Sequence, residues 1–183
     1  LVDVILDAAG QKGTGRWSAI ESQQMAVPAS AIEAAVGARS LSAMTGLRAE
    51  AEKLLGKPEL GAFEAGDNAV ELLEKALLAG KVAAYAQGFA VMAAASKEFG
   101  WNLPMPIIAK IWRAGCIIRS RFLDQMASAY DKGEAVNLLV VPDFVEIMKD
   151  SHPSLRKVVA AAAIGEFPMI CLSAALSYFD SYR

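Results

Sequence analysis

The sequence predicts an all-α fold built on a duplicated helical unit, and three observations carry that prediction. The chain is 55% hydrophobic and rich in alanine, which is the best helix former and small enough to let helices approach closely. Between Gly and Pro breaks, the apolar residues recur at helical spacing. Finally, a shift of 140 residues lays Arg16 on Arg156, Pro28 on Pro168, Ile32 on Leu172, Ala34 on Ala174, Ala35 on Ala175 and Val36 on Leu176. A helix after an arginine, an apolar-Pro break and a second apolar helix therefore occur twice. The shift also sets Lys12 against His152 and Arg39 against Phe179, so only the first copy keeps a cationic pair.

The elements follow in order. Leu1–Ala9, with Leu1, Val2, Ile5 and Leu6 on one side and Gly10 as C-cap, reads as the tail of a helix. Gln11–Trp17 reads as a short irregular loop, with Trp17 starting a helix that runs to Gln24 and ends at Val27-Pro28. Ser30 and Glu33 have capping-box spacing for a helix through Ile32, Val36, Leu41 and Met44 that ends near Arg48. Ala49–Gly66 holds a helical piece and belongs on the surface. Asp67 or Asn68 can cap a long helix from Ala69 to Phe99, in which Gly80 and Gly88 permit a bend or close contacts. Glu71, Glu74 and Lys75 form a charged, solvated face. Gly100–Pro104 breaks the chain. Pro106–Tyr130 reads as one helix with Ile107, Ile111, Ile118 and Phe122 as its apolar stripe, ended by Asp131-Lys132-Gly133. Asn137–Val141 reads as a connector or a short extended piece. Pro142–Asp150, Pro153–Ile164 and Pro168–Tyr182 read as three further helices.

Within this frame Gln11-Lys12-Gly13-Thr14-Gly15-Arg16-Trp17 is the stretch with chemistry. Two glycines two apart let the backbone turn its N–H groups to a common side. Lys12 adds a full charge, Thr14 a hydroxyl, and the helix start its free N–H groups and partial positive charge. Taken alone, the stretch is either a turn with a solvated lysine or a seat for a phosphate or carboxylate. Arg39, among small and apolar residues, either snorkels or pairs with a carboxylate, or reaches an anion bidentately. His152 precedes Pro153, which places it in a turn. With no second histidine and no nearby cysteine, it is a poor metal ligand or catalytic partner. No metal site is expected.

Composition narrows the classes. The 183 residues suit one domain, able to bury about 70% of its unfolded surface. A net charge of −2 offers no basic excess for nucleic acid. Cys116 and Cys171, in apolar helical runs, read as buried free thiols. The longest charge-free run, Val82–Ser96, is too short and too polar for a membrane span. A cytoplasmic protein with no membrane or nucleic-acid partner is the default. Both ends look cut, so a segment of a longer protein is expected.

Several stretches in order are similar to one family. They are Leu1–Asp7 running into Gln11–Trp17, Val27-Pro28, Ala38–Ser42, Tyr85–Phe89, Phe99–Asn102, Trp112–Ser120 and Tyr178–Arg183. Together they resemble the C-terminal helical domain of 6-phosphogluconate dehydrogenase. That resemblance implies a duplicated all-α domain over residues 1–183 and a homodimer. It further implies an NADP-binding Rossmann domain, a first helix and a C-terminal tail that are not in this sequence. The implied reaction is hydride transfer from C3 of 6-phosphogluconate, loss of CO2 and protonation to ribulose 5-phosphate. The family's lysine base and glutamate acid lie before Leu1, so no catalytic residue is expected here, and Lys12 is not that lysine. Lys12 and Arg39 match residues that bind the substrate phosphate, with Thr14 in the same loop as an added hydroxyl. Arg16 stands where lysine is usual and Ser18 where threonine is usual, so charge and hydroxyl are kept. The roles of Arg113 and Arg119 are open between packing, the dimer interface and proximity to the active site. NADP-dependent decarboxylation by the full-length protein is the function the resemblance implies. A non-enzymatic helical dimerisation or binding module of the same ancestry is the alternative.

Overall fold

One helix forms the axis of the structure. The computed structural model describes residues 2–63, 68–120, 122–132 and 137–183, which contain eight α-helices and no strand. They are α1 (Thr14–Gln24), α2 (Ser30–Ser42), α3 (Thr45–Leu55), α4 (Ala69–Phe99), α5 (Met105–Gly115), α6 (Phe122–Asp131), α7 (Pro142–Ile164) and α8 (Ile170–Tyr182). α4 has the bounds the sequence predicts, and α1, α2, α7 and α8 all pack on it. Its length and apolarity would suit a membrane-crossing helix too. Here the apolar surface is covered by neighbouring helices, with Ala76, Ala79, Val82, Ala83, Ala86 and Phe89 buried. A Cβ at Gly80 would lie 2.5 Å from Leu172 Cδ2, so this glycine marks the close approach of α8. Phe89 stacks on Tyr130 at 5.2 Å and meets Trp112 edge-on at 5.3 Å, tying α5 and α6 to the axis.

The duplication is visible in the backbone. The 140-residue shift carries α2 onto α8 with identical bounds and carries the end of α1 onto the end of α7. Both links hold a non-glycine residue in the left-handed region at the same place, Ala26 (φ 52°) and Glu166 (φ 59°). Such a residue costs roughly 1 kcal/mol. In return, Val27 N–H donates to Ser22 O at 2.9 Å and Phe167 N–H to Ala162 O at 2.8 Å, the long bond of a Schellman turn.

Several expectations are corrected. Val2–Val4 form one 3₁₀ turn and residues 5–13 are irregular, with Ile5 and Leu6 exposed; apart from Ala8 N–H to Leu6 O, the bonds of residues 9–11 go to α2. The first helix begins at Thr14, three residues before Trp17. Ser30 is not a cap. The cap position is Ala29, and the buried Gln87 of α4 does the capping work: its Oε1 accepts from Ala31 N–H at 3.0 Å while its Nε2 donates to Ser30 Oγ at 3.3 Å. Glu33, freed from the capping box, accepts from Ser22 and Gln23 of α1. α2 ends at Ser42 rather than near Arg48. The predicted helix Pro106–Tyr130 is two helices. The break is held from α4, where Tyr85 Oη donates to Ile118 O at 2.7 Å and Lys81 Nζ to Ser120 Oγ at 3.0 Å. α5 is apolar on both sides. Ile108, Ala109 and Trp112 face the core, leaving Ile107 and Ile111 of the predicted stripe exposed, as is Ile118 in the break. Residues 142–164 form one helix that continues through Pro153, so His152 is helical rather than in a turn. Both thiols are free; Cys116 is half-buried and Cys171 exposed, because its side of α8 faces away from α4. Asn68 takes the cap position of α4 without a side-chain cap bond. Gly66, Asp67 and Gly133 lie outside the described residues.

Gln87→Leu keeps the volume and leaves Ala31 N–H buried without its acceptor. It is expected to cost about 1–3 kcal/mol, read as a lower urea midpoint with an unchanged slope.

Candidate functional site

Residues 7–13 run across α2 as a strap. Ala9 N–H donates to Ser42 Oγ at 3.0 Å. Gln11 Nε2 donates to Ser40 Oγ at 2.6 Å and to Val36 O at 3.2 Å. Arg48, at the start of α3, pairs with Asp7 and also donates to Ser42 O at 3.3 Å. The Arg39 guanidinium donates to the Gly10 carbonyl. It thus meets a backbone acceptor, not the carboxylate partner that is one alternative for it, and a single carbonyl leaves most of its donor fork unused.

The two loop glycines are required by close approach. Gly13 has φ 107°, and a Cβ there would sit 3.2 Å from the Trp17 indole; one at Gly15 would sit 3.2 Å from Val36 Cγ2. Gly13 is the N-cap of α1 and offers no side chain, so no side-chain cap bond covers the start of the helix. The N–H groups of Thr14, Gly15 and Arg16 accordingly have no hydrogen-bond acceptor among the described residues. Thr14 is exposed at the first helical position, and its carbonyl accepts from Ser18 Oγ at 3.0 Å.

Lys12 is exposed between Gln11 and Gly13, with no hydrogen bond or ion pair to the described residues. Its neighbour Gln11 is bonded to Val36 and Ser40 of α2, Arg39 is bonded to Gly10, and Gly15 lies against Val36. The fold therefore brings Lys12, Thr14 and Arg39 to one corner. Residues 8–20 and 34–47 contain Lys12, Arg16 and Arg39 and no Asp or Glu. The corner is a local positive region on a chain of net charge −2, with the helix dipole adding to it. A surface depression lined by Asp124, Asp143 and Glu146 has the opposite sign and suits no anion. Among the described residues no group of three His, Cys, Asp or Glu side chains could hold a metal.

The matching corner of the second copy is closed. His152, in the place of Lys12, packs at a tilt against Phe179, in the place of Arg39, with ring centroids 5.1 Å apart. His152 Nδ1 is buried without a partner. Burial, then the charges of Arg183 and Arg156, hold the imidazole below its usual range against the opposing pull of Asp180. Arg113 Nε pairs with Asp124 at 2.7 Å, bracing α5 against α6, while Arg119 is exposed. Gln11, Ser40, Ser42 and the Asp7–Arg48 pair carry the strap and had no sequence signal, since they do their work only after the strap has folded back.

The whole chain, residues 1–183, matches the model of the 6-phosphogluconate dehydrogenase C-terminal domain. It is 44% identical over 185 residues to a decarboxylating 6-phosphogluconate dehydrogenase of Bacillus licheniformis, covering 100% of this chain and 40% of that protein. It is 45% identical over 186 residues to the one from Escherichia coli K12, covering 100% of this chain and 39% of that protein. The chain thus spans about two fifths of the length of the curated relatives it matches. The fold superposes on Plasmodium falciparum 6-phosphogluconate dehydrogenase, studied in its apo form, with its cofactor NADP+ and with its substrate 6-phosphogluconate. The TM-score is 0.92 at 36% identity, covering 100% of this chain and 40% of that one.

The depressed His152 gives a pH prediction. In the unfolded chain the ring binds its proton at the ordinary value near about 6.5. As the pH falls below that value, the unfolded state therefore gains protons first and stability declines, levelling off once the folded-state pKa is passed. His152→Phe should remove this part of the decline, read as a smaller drop in Tm between pH 7.5 and 5.5.

Proposed function

The chain belongs to the 6-phosphogluconate dehydrogenase family, as its C-terminal domain, and from that premise we propose that its cationic corner seats the phosphate of 6-phosphogluconate. The observation that carries this is the meeting of Lys12, Thr14 and Arg39 with the uncapped start of α1, in two segments free of carboxylates. A phosphate monoester is a dianion with three terminal oxygens. Lys12 supplies a compact charge, Arg39 a planar fork held in place by Gly10, and Thr14 with the α1 N–H groups neutral donors. Arg39, bonded to Gly10, and the backbone of α1 are held before the ligand arrives, which lowers the ordering needed on binding.

In the full-length protein we infer NADP-dependent oxidative decarboxylation to ribulose 5-phosphate and CO2. The hydride leaves C3 for NADP, the β-keto acid loses CO2, and the enediol is protonated. The described residues of this chain provide no dinucleotide fold, and we assign the base and the acid to residues outside it. Its own contribution is to hold the substrate's remote end. Phosphate binding energy then fixes where C3 sits, which is how a group distant from the reacting bonds raises the rate. We further infer a homodimer. The exposed Phe99, Trp101, Ile107 and Ile111 give neighbouring stretches of the surface an apolar character that a second copy would cover. A soluble metabolic enzyme of the cytoplasm fits this role.

Lys12→Ala and Arg39→Ala in the full-length protein are each expected to raise KM for 6-phosphogluconate by about tenfold to a hundredfold, the loss of a charge-assisted bond. Steady-state NADP reduction measures this. The isolated segment 1–183 should reduce no NADP; detectable turnover would place the catalytic groups inside it.

A further inference from the structure

The two copies of the helical unit share an arginine and treat it differently. In the second copy Arg156 of α7 reaches across to α8, where its Nη2 donates to both carboxylate oxygens of Asp180, at 2.6 and 2.7 Å. Arg183 donates to the same carboxylate at 3.0 Å. The charge of this arginine is thus paired. In the first copy the shift of 140 puts Arg16 of α1 in its place and Ser40 of α2 in the place of Asp180. Serine carries no charge. Its hydroxyl is moreover already used, accepting from Gln11 Nε2 at 2.6 Å and donating to Val36 O at 3.1 Å. Arg16 is exposed and makes no side-chain hydrogen bond or ion pair with the described residues.

The helix pair around it is otherwise kept. α2 and α8 have the same bounds under the shift, α1 and α7 end together, and both links use the same left-handed residue and the same Schellman bond. The backbone that lets Arg156 span the α7–α8 seam therefore lets Arg16 span the α1–α2 seam, toward Ser40. An exposed arginine far from any site would simply be solvated. This one lies in the first turn of the helix that follows Lys12, and Ser40, which holds the place of Asp180, is the neighbour of Arg39. The first copy thus has no carboxylate at the place where the second has Asp180, and Arg16 stands in the first turn of α1 without that partner.

We propose that Arg16 is a third cation of the phosphate seat, released for that task by serine at position 40. The proposal rests on the reading of Lys12, Thr14 and Arg39 as that seat. Arg16 acts by binding: its fork takes a terminal phosphate oxygen that Lys12 and Arg39 leave open, and no proton or bond changes hands.

The test uses the full-length protein with Lys12→Ala, Arg16→Gln and Arg16→Lys, each checked for an unchanged Tm. The readouts are KM for 6-phosphogluconate, kcat, and the Ki of inorganic phosphate as a competitive inhibitor. Arg16→Gln is expected to raise both KM and the phosphate Ki by about tenfold, the loss of one charge-assisted contact. The effect should fall on KM more than on kcat, and Arg16→Lys should recover most of it. If Lys12→Ala raises KM and Ki while Arg16→Gln moves neither, Arg16 is a solvated residue and the seat stands without it. If Arg16→Gln lowers kcat alone, or lowers Tm, its role is structural and the proposal is overturned. If Lys12→Ala also leaves the phosphate Ki unchanged, the reading of the corner as a phosphate seat fails with it.

Discussion

The need to bury α4 organises everything else. Thirty-one residues of mostly apolar helix present surface on every side, and burial of apolar area is the main favourable term in folding. One flanking helix cannot cover such a surface. The duplicated unit supplies two hairpins, α1–α2 and α7–α8, which clasp the axis and meet each other through α2 and α8. Alanines and Gly80 on α4 set how close they come. Gln87 shows that the clasp is directional as well as greasy. A buried amide on the axis finds its partners only if the start of α2 lies in one place. The position of α2, and with it Arg39, is therefore set from the core outward.

The two copies show how one backbone plan gives a cationic corner and a closed one. The irregular strap of residues 5–13 corresponds under the shift to the first half of α7, and Gly13 corresponds to Pro153. In the second copy the chain stays helical through the proline. Ser151 Oγ donates to Ile147 O at 2.6 Å just before it, and the His152–Phe179 pair seals the seam. In the first copy the helix starts only at Thr14, after a glycine with φ 107°. That late start exposes the helix N-terminus, frees Lys12 to stand beside it, and lets the strap fold back on α2. The cationic corner goes with an irregular strap in one copy where the other copy has helix.

Much of this was legible in the sequence, and the failures have identifiable physics. α4 was readable because its ends carry strong local signals and its interior has none. The repeat was readable because Arg16/Arg156 and Pro28/Pro168 keep register. Pro153 misled because a proline disfavours a helix interior without forbidding one when tertiary packing holds both sides. Ser30 and Glu33 had the right spacing for a capping box, yet a distant glutamine won the site, which no local pattern encodes. The break after Gly115 was invisible for the same reason: the bonds from Tyr85 and Lys81 that hold it come from another helix. Lys12 and Arg39 could be singled out as cations, but not that Arg39 would be steadied by Gly10.

If the corner seats a phosphate as we propose, it does so on an acidic chain, and the distribution of charge accounts for that. Net charge matters little at short range, because fields from charges beyond about 8 to 10 Å are largely screened in salt. What counts is which charges nearby lack a partner. Elsewhere on the surface many acids and bases are matched: Asp7 with Arg48, Lys75 with Asp150, Lys110 with Asp131, Arg113 with Asp124, Arg156 with Asp180. These pairs are exposed, contribute little to stability, and cancel one another's fields. Asp180 is held below the usual carboxylate range chiefly by its bond from Arg156, so that pair stays matched throughout the neutral pH range. Against this neutralised background, two short segments without a single carboxylate are enough to make one corner attractive to a dianion. Selectivity here comes from where acids are missing rather than from how many bases are present.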